Sequence, residues 1–254
     1  MSIPKIIWQT WQHSRLPPEM RKRVETLKAK HPDFQHIVYD DILCRQFMKE
    51  NYPEFLGAYD TLIPGAYKSD LWRMCVLYKY GGIYFDIKFE IIGDFTFHSV
   101  LDKNYFAKDY SPDPTPHKHR IAIAFIVTVP NNPLIMKCIR HIVSNVDNHY
   151  YGETPFDITG PDAVGKALED EEFEFEFNMK PFNMRQAVYR GRTLVLLEYK
   201  WYRTEQRSEL THYTIRWNDK NVFGTRPAPR TDTTPAPPRP TMKAPKEPFR
   251  LKGL

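Results

Sequence analysis

Cysteine is scarce: Cys44, Cys75 and Cys138 are the only three in 254 residues, and no two form a Cys-x-x-Cys pair. An odd, widely spaced count excludes a disulfide framework and a thiolate zinc cluster, and reads as buried free thiols in a reducing compartment. No apolar run approaches the roughly 18 residues of a membrane span. Residues 1–8 lack the apolar stretch of a signal peptide. There is no Asn-x-Ser/Thr sequon. Together these absences set the expectation of a soluble, cytoplasmic protein. There is also no internal repeat, and no well-placed Ser/His/Asp or Cys/His set for nucleophilic catalysis.

What is present is enough apolar material for a core, 41% hydrophobic and 14% aromatic. The formal charge of +5 is confined to one segment. Residues 225–254 hold seven Lys/Arg and two Asp/Glu, while residues 1–224 carry 29 of each sign. A neutral body makes a nucleic-acid-coating protein an unlikely reading. Eight of the 22 prolines lie between Pro227 and Pro248, so residues 225–254 read as a disordered or polyproline-like tail that could dock a partner. The body, 1–224, reads as one domain.

Within the body, strand signals at residues 3–11, 34–39, 121–129, 173–177 and 193–198 alternate with helix signals at 17–30, 42–51 and 134–150. A further helix starts near Asp162, after the turn Thr159-Gly160-Pro161. This alternation predicts an α/β fold with a mostly parallel central sheet flanked by helices. Residues 66–80 read as a helix with Leu71, Met74, Cys75 and Tyr78 on one stripe and Ser69, Asp70 and Arg73 on another face. Gly81-Gly82 supplies its stop. Residues 83–91 alternate strictly, which predicts one strand presenting Tyr84, Asp86, Lys88 and Glu90 on a polar side. Such a row is either the charged guard of an edge strand or the lining of a ligand cleft at a sheet end.

The run Ser69-Asp70-Leu71-Trp72-Arg73, followed by Gly81-Gly82-Ile83-Tyr84-Phe85-Asp86, resembles the central signature of the glycosyltransferase family 32 proteins. The opening around Trp8-Gln9-Thr10-Trp11, the Thr159-Gly160-Pro161 turn and the segment His212 to Trp217 resemble three further blocks in the same order. The clostridial glucosylating toxins look like distant relatives. The resemblance covers roughly residues 1–224. It implies a GT-A fold and retaining transfer of a hexose from a UDP- or GDP-sugar to a glycan or other hydroxyl acceptor. It implies donor contacts from Trp8, Gln9, Thr10, Ser69, Asp70, Arg73, Tyr84 and Asp86. Trp8 would stack on the nucleobase, unless it anchors the core instead. Asp70, Arg73, Asp86, Lys88 and Trp217 are the candidates for catalysis, with Trp217 donating to the leaving phosphate. Mn²⁺ or Mg²⁺ would sit on Asp86 and His212, with Glu90 as a further ligand.

One position departs from the family pattern. Lys88 stands where the second Asp of the Asp-x-Asp motif belongs. Either Asp86 and His212 still hold a metal, or the lysine ammonium supplies part of its charge and the metal is weak or dispensable. If Asp86 and Lys88 share one strand face they lie about 6–7 Å apart, within reach of one diphosphate. The substitution also admits a degenerate module that binds a nucleotide sugar without transferring it. A protein that binds partners or nucleic acid through its basic tail is the other alternative. The loop at residues 111–119, with His117 and His119, reads as a Pro-rich surface loop rather than a metal site.

Overall fold

A computed structural model describes residues 2–110, 119–180, 184–205 and 212–225. In chain order the elements are β1 (Ile6–Thr10), α1 (Pro18–Lys30), β2 (Gln35–Tyr39), α2 (Asp41–Asn51), α3 (Pro53–Thr61) and α4 (Gly65–Tyr80). Then come β3 (Gly82–Phe85), β4 (Glu90–Ile91), a 3-10 turn at Phe97–Val100, β5 (Tyr105–Lys108), β6 (Ile121–Thr128) and α5 (Pro133–Asp147). The chain ends in α6 (Pro161–Ala167), β7 (Phe177–Met179), β8 (Gln186–Tyr189), β9 (Arg192–Leu196), α7 (Tyr202–Glu205) and α8 (Tyr213–Asn218). The Pro-rich tail, apart from Thr225, and most of the 111–119 loop lie outside the described residues. Among the described residues no helix is long and apolar enough to cross a membrane.

Local chemistry explains most boundaries. Prolines open α1, α3, α5 and α6 at their first turns, where a missing N–H costs nothing. Asp40 and Asn132 cap α2 and α5 by accepting from the Leu43 and Leu134 amides. Helix α4 stops at Gly81, whose φ of +65° disfavours any side chain.

Among the described residues nine strands form one sheet in the order β2-β1-β3-β6-β5-β7-β8-β9-β4. The α/β character is as expected, but only β1·β2, β1·β3 and β5·β7 pair in parallel, and the other five pairings are antiparallel. The hairpins β5–β6 and β7–β8–β9 supply three of these, and β6 beside β3 and β4 beside β9 supply the other two. Alternate residues of the central strands enter two cores. Trp8, Tyr84 and Ile126 pack with α2, α4 and α5 on one face, and Ile7, Phe85 and Phe125 with Phe95, Phe97 and Tyr189 on the other.

The predicted strand over residues 83–91 is two strands. β3 ends at Phe85, the chain turns through Asp86 to Phe89 with the Phe89 amide donating to the Asp86 carbonyl (2.9 Å), and β4 pairs with β9 at the far sheet edge. Ile87 packs with Leu16, Met20 and Tyr199, whereas Phe89 joins the Phe85 cluster. The strand expected at 173–177 is likewise displaced to β7, and Phe173 and Phe175 only pack against the core edge.

Candidate active site

Helix α4 carries the site from beneath. It is buried almost all round, including Asp70 and Arg73, so its polar residues are not a solvent face. Its C-terminus feeds directly into β3 through Gly81 and Gly82. A β-carbon on Gly81 would lie 2.7 Å from the Pro130 nitrogen, and one on Gly82 2.7 Å from the Ile6 carbonyl. This close joint fixes the end of α4 against β1, β3 and β6, and therefore fixes Arg73 against the C-terminal end of β3.

Arg73 is the hub. Its guanidinium lies 3.1 Å from Asp70 Oδ1 and 3.2 Å from Asp86 Oδ1. It also donates to Ser69 Oγ (3.0 Å) and the Ile123 carbonyl (3.1 Å), and its face covers the Tyr84 ring at 4.2 Å. A rigid five-donor fork can satisfy that many acceptors where a lysine could not. Asp70 Oδ2 accepts from the buried Thr159 hydroxyl at 2.7 Å, which ties the Thr159-Gly160-Pro161 turn to α4. Burial pushes the Asp70 carboxyl up to about 7, against the opposing pull of Arg73 and Thr159. Asp86 Oδ1 also accepts from the Tyr84 hydroxyl (3.0 Å), and Lys88 Nζ lies 3.6 Å from Oδ2. The two acids and two bases are formally neutral together. Lys88 is the most exposed of the four side chains, at 33%.

The other expected site residues are elsewhere engaged. Trp8 is fully buried, its Nε1–H donates to the Gly81 carbonyl (2.8 Å), and its rings pack on Tyr80 and Tyr39. With no open face in this structure it packs as a core residue, the alternative reading of that position. Gln9 spans the Phe85 carbonyl and the His36 ring, and Thr10 donates to the Tyr39 carbonyl. Both brace β1. Trp217 Nε1–H donates to the Tyr151 carbonyl (2.7 Å). Glu90 pairs with Arg23 of α1, on the far side of the 86–89 turn. His212 caps α8 through Thr214, and burial and the nearby Lys88 charge hold its imidazole below the ordinary histidine range.

A divalent cation fits these residues poorly. Both oxygens of Asp86 already face cationic or hydroxyl donors, and Glu90 is held by Arg23. Among the described residues no group of three or more His, Cys, Asp or Glu is placed to share an ion. Hard cations prefer several anionic or neutral oxygens around them, and here the neighbouring groups are a guanidinium and an ammonium.

Thr159, the Ile123 carbonyl, and Tyr213 with its neighbours Asp109 and Arg120 lie outside the set singled out from the sequence. For Thr159 a signal existed, since its turn was already one of the recognised blocks.

Residues 17–107 match the family model described as the glycosyltransferase sugar-binding region containing a DXD motif. An inositol phosphoceramide mannosyltransferase 3 of Schizosaccharomyces pombe is 37% identical over 86 residues, 34% of this chain and 24% of that protein. A second enzyme of that yeast, inositol phosphoceramide mannosyltransferase 1, is 27% identical over 156 residues, 60% of this chain and 46% of its own length. An uncharacterized glycosyltransferase, L373, of Acanthamoeba polyphaga mimivirus is 35% identical over 37% of this chain and 39% of its own. The chain thus spans less than half the length of each of these relatives. The solved PaToxG glycosyltransferase has a TM-score of 0.51 and 22% identity over 67% of this chain and 70% of its own, and so shares the fold. The fold is that of a GT-A-like glycosyltransferase.

Proposed function

We propose that this protein is a retaining glycosyltransferase that moves a hexose from a nucleotide-diphosphate sugar to a hydroxyl acceptor such as a glycan. The observation carrying this reading is the Arg73 hub. A buried guanidinium held between Asp70 and Asp86, with Lys88 beside them, occupies the end of a central strand inside the region matched as sugar-binding. The names of the yeast relatives put mannose first among the sugars to try.

In this mechanism the protein contributes position and charge. Asp70 and Arg73 hold the sugar hydroxyls, and Asp86 the ribose side of the donor. The bond between the anomeric carbon and the β-phosphate oxygen breaks. The acceptor oxygen bonds to that carbon on the same face, and its proton passes to the departing phosphate. Lys88 stabilises the charge growing on that phosphate, in place of part of a metal's charge.

The test is a panel that includes GDP-mannose and UDP-glucose, scored by thermal shift and nucleotide release with Mn²⁺ and with EDTA. Release without metal supports the full reading. Total loss in EDTA, restored by Mn²⁺, overturns the role of Lys88. Binding without any release reduces the protein to a nucleotide-sugar-binding module.

A further inference from the structure

Two different elements hold the two ends of the Asp86–Lys88 turn. The Asp86 amide donates to the Ala124 carbonyl of β6 (2.9 Å), which fixes the Asp86 backbone to the central sheet. The Lys88 carbonyl accepts from the Tyr199 amide (3.0 Å), which fixes the Lys88 backbone to the segment that follows β9. Between them, Ile87 is buried with Leu16, Met20, Tyr199 and Tyr202. Where the lysine stands relative to the carboxylate therefore depends on how residues 199–205 are fastened.

One carboxylate supplies the polar fastening. Helix α1 follows Pro17 and opens on Pro18, and its N-terminus has no side-chain cap from Pro17. The amides of its first turn have no acceptor within the helix. Two of them, of Glu19 and Met20, donate to Glu205 of α7, at 2.8 Å to Oε1 and 3.2 Å to Oε2. The Tyr199 hydroxyl donates to the same Oε2 (2.6 Å). Glu205 thus caps a helix whose Met20 lies 185 positions earlier in the chain. It also ties down the tyrosine whose amide holds Lys88.

The rings alone would not set this geometry. Tyr199 and Tyr202 are buried and meet edge to face at 5.6 Å. Apolar burial is non-directional, whereas three hydrogen bonds to one carboxylate fix distance and direction together.

We propose that Glu205 is a positioning residue for Lys88: through Tyr199 it sets the place of the Lys88 ammonium beside the donor diphosphate. This rests on the glycosyltransferase reading above. Glu205 touches no reactant and acts through Tyr199 and the Lys88 backbone. A displaced ammonium near the leaving group lowers kcat and leaves donor KM unchanged, because the charge it meets grows only as the bond breaks. The free nucleoside diphosphate carries that charge in full, so its binding reports Lys88 where donor KM does not.

The experiment is a double-mutant cycle of Glu205→Ala and Lys88→Ala in the full chain. Nucleotide release is measured in EDTA over a donor series, UDP and GDP binding by calorimetry, and Tm on each protein. The expected result is a kcat lowered about tenfold or more by Glu205→Ala, with donor KM within about twofold. In the Lys88→Ala background the same change should cost less than about twofold, since no ammonium remains to be misplaced. Equal losses in both backgrounds would make Glu205 a helix cap alone and overturn the assignment, as would an unchanged kcat. If wild type releases no nucleotide from any donor, diphosphate binding decides. Binding weakened by Glu205→Ala only where Lys88 is present keeps the positioning role and removes the transferase reading. Binding indifferent to Glu205, or none by wild type, removes the positioning role. Should Glu205→Ala unfold, as judged by Tm, Tyr199→Phe cuts the same tie and leaves the cap. It must then show the same dependence on Lys88.

Discussion

The Lys88 ammonium stands 3.6 Å from the Asp86 carboxylate, across a tight turn. The ammonium thus stands beside the carboxylate, where a second acid would recruit a metal.

Reversing that charge should change the cofactor requirement. In Lys88→Asp the turn carries two adjacent carboxylates, a suitable pair for a divalent ion. We expect metal-free nucleotide release to fall by about 10²–10³-fold, as for loss of a leaving-group donor, and Mn²⁺ to recover part of it. Release assays across a Mn²⁺ series, with Tm read at each point, give the answer. A variant as active as wild type in EDTA contradicts the role given to Lys88.

Removing Asp86 should separate activity from folding. In Asp86→Ala the Arg73 guanidinium keeps Asp70, Ser69 and the Ile123 carbonyl, so the fold should persist with a lowered Tm. Nucleotide release should drop by at least about 10²-fold. Circular dichroism and release assays on one preparation test both halves, and full activity would sink the assignment of Asp86.

Acid should weaken the protein through a histidine outside the charged hub. His36 is held by Gln9 and pushed down to about 4, chiefly by burial and further by Lys28 and His31. The folded state then binds fewer protons than the unfolded chain between pH 6.5 and 4. This contribution is complete above pH 6.5 and is lost as pH falls through that window, by up to about 3 kcal/mol. Denaturant titrations from pH 7 to 4 should show the loss, and His36→Gln should flatten it.

The α4–β3 joint should not tolerate a methyl group. Gly81→Ala combines a left-handed φ of +65° with overlap against Pro130 and the Thr128 carbonyl. A cost of at least about 2 kcal/mol follows, or a Tm lowered by about 4 °C or more. Differential scanning calorimetry measures it directly.

Much of this was legible beforehand. The bounds of α1, α2 and α4 follow from prolines, caps and the Gly81 stop, and the resemblance of the Ser69–Arg73 and Gly81–Asp86 blocks to the family signature marks the residues of the charged hub. Other features depend on long-range partners that no local pattern records. The alternation over residues 83–91 is the same whether the chain runs straight or turns at Asp86, because Ile87 and Phe89 are buried either way, in different clusters. Trp8 near a strand end could line a cleft or fill a core, and the Gly81 carbonyl that captures its indole is 73 residues away. Helix α3 follows α2 after a single residue, so its proline reads as an end when it is also a beginning. Asp109, Arg120 and Asp162 meet only through the closing of β5 on β6 and the docking of α6.

The joint at Gly81 and Gly82 also acts as a ruler. Arg73 and Asp86 are set by an uninterrupted count of helix residues, two glycines and three further strand residues. One residue added to α4 would swing Arg73 by about 100° around the helix axis, and one added to β3 would turn Asp86 to the opposite face. Length in this stretch is therefore as constrained as chemistry.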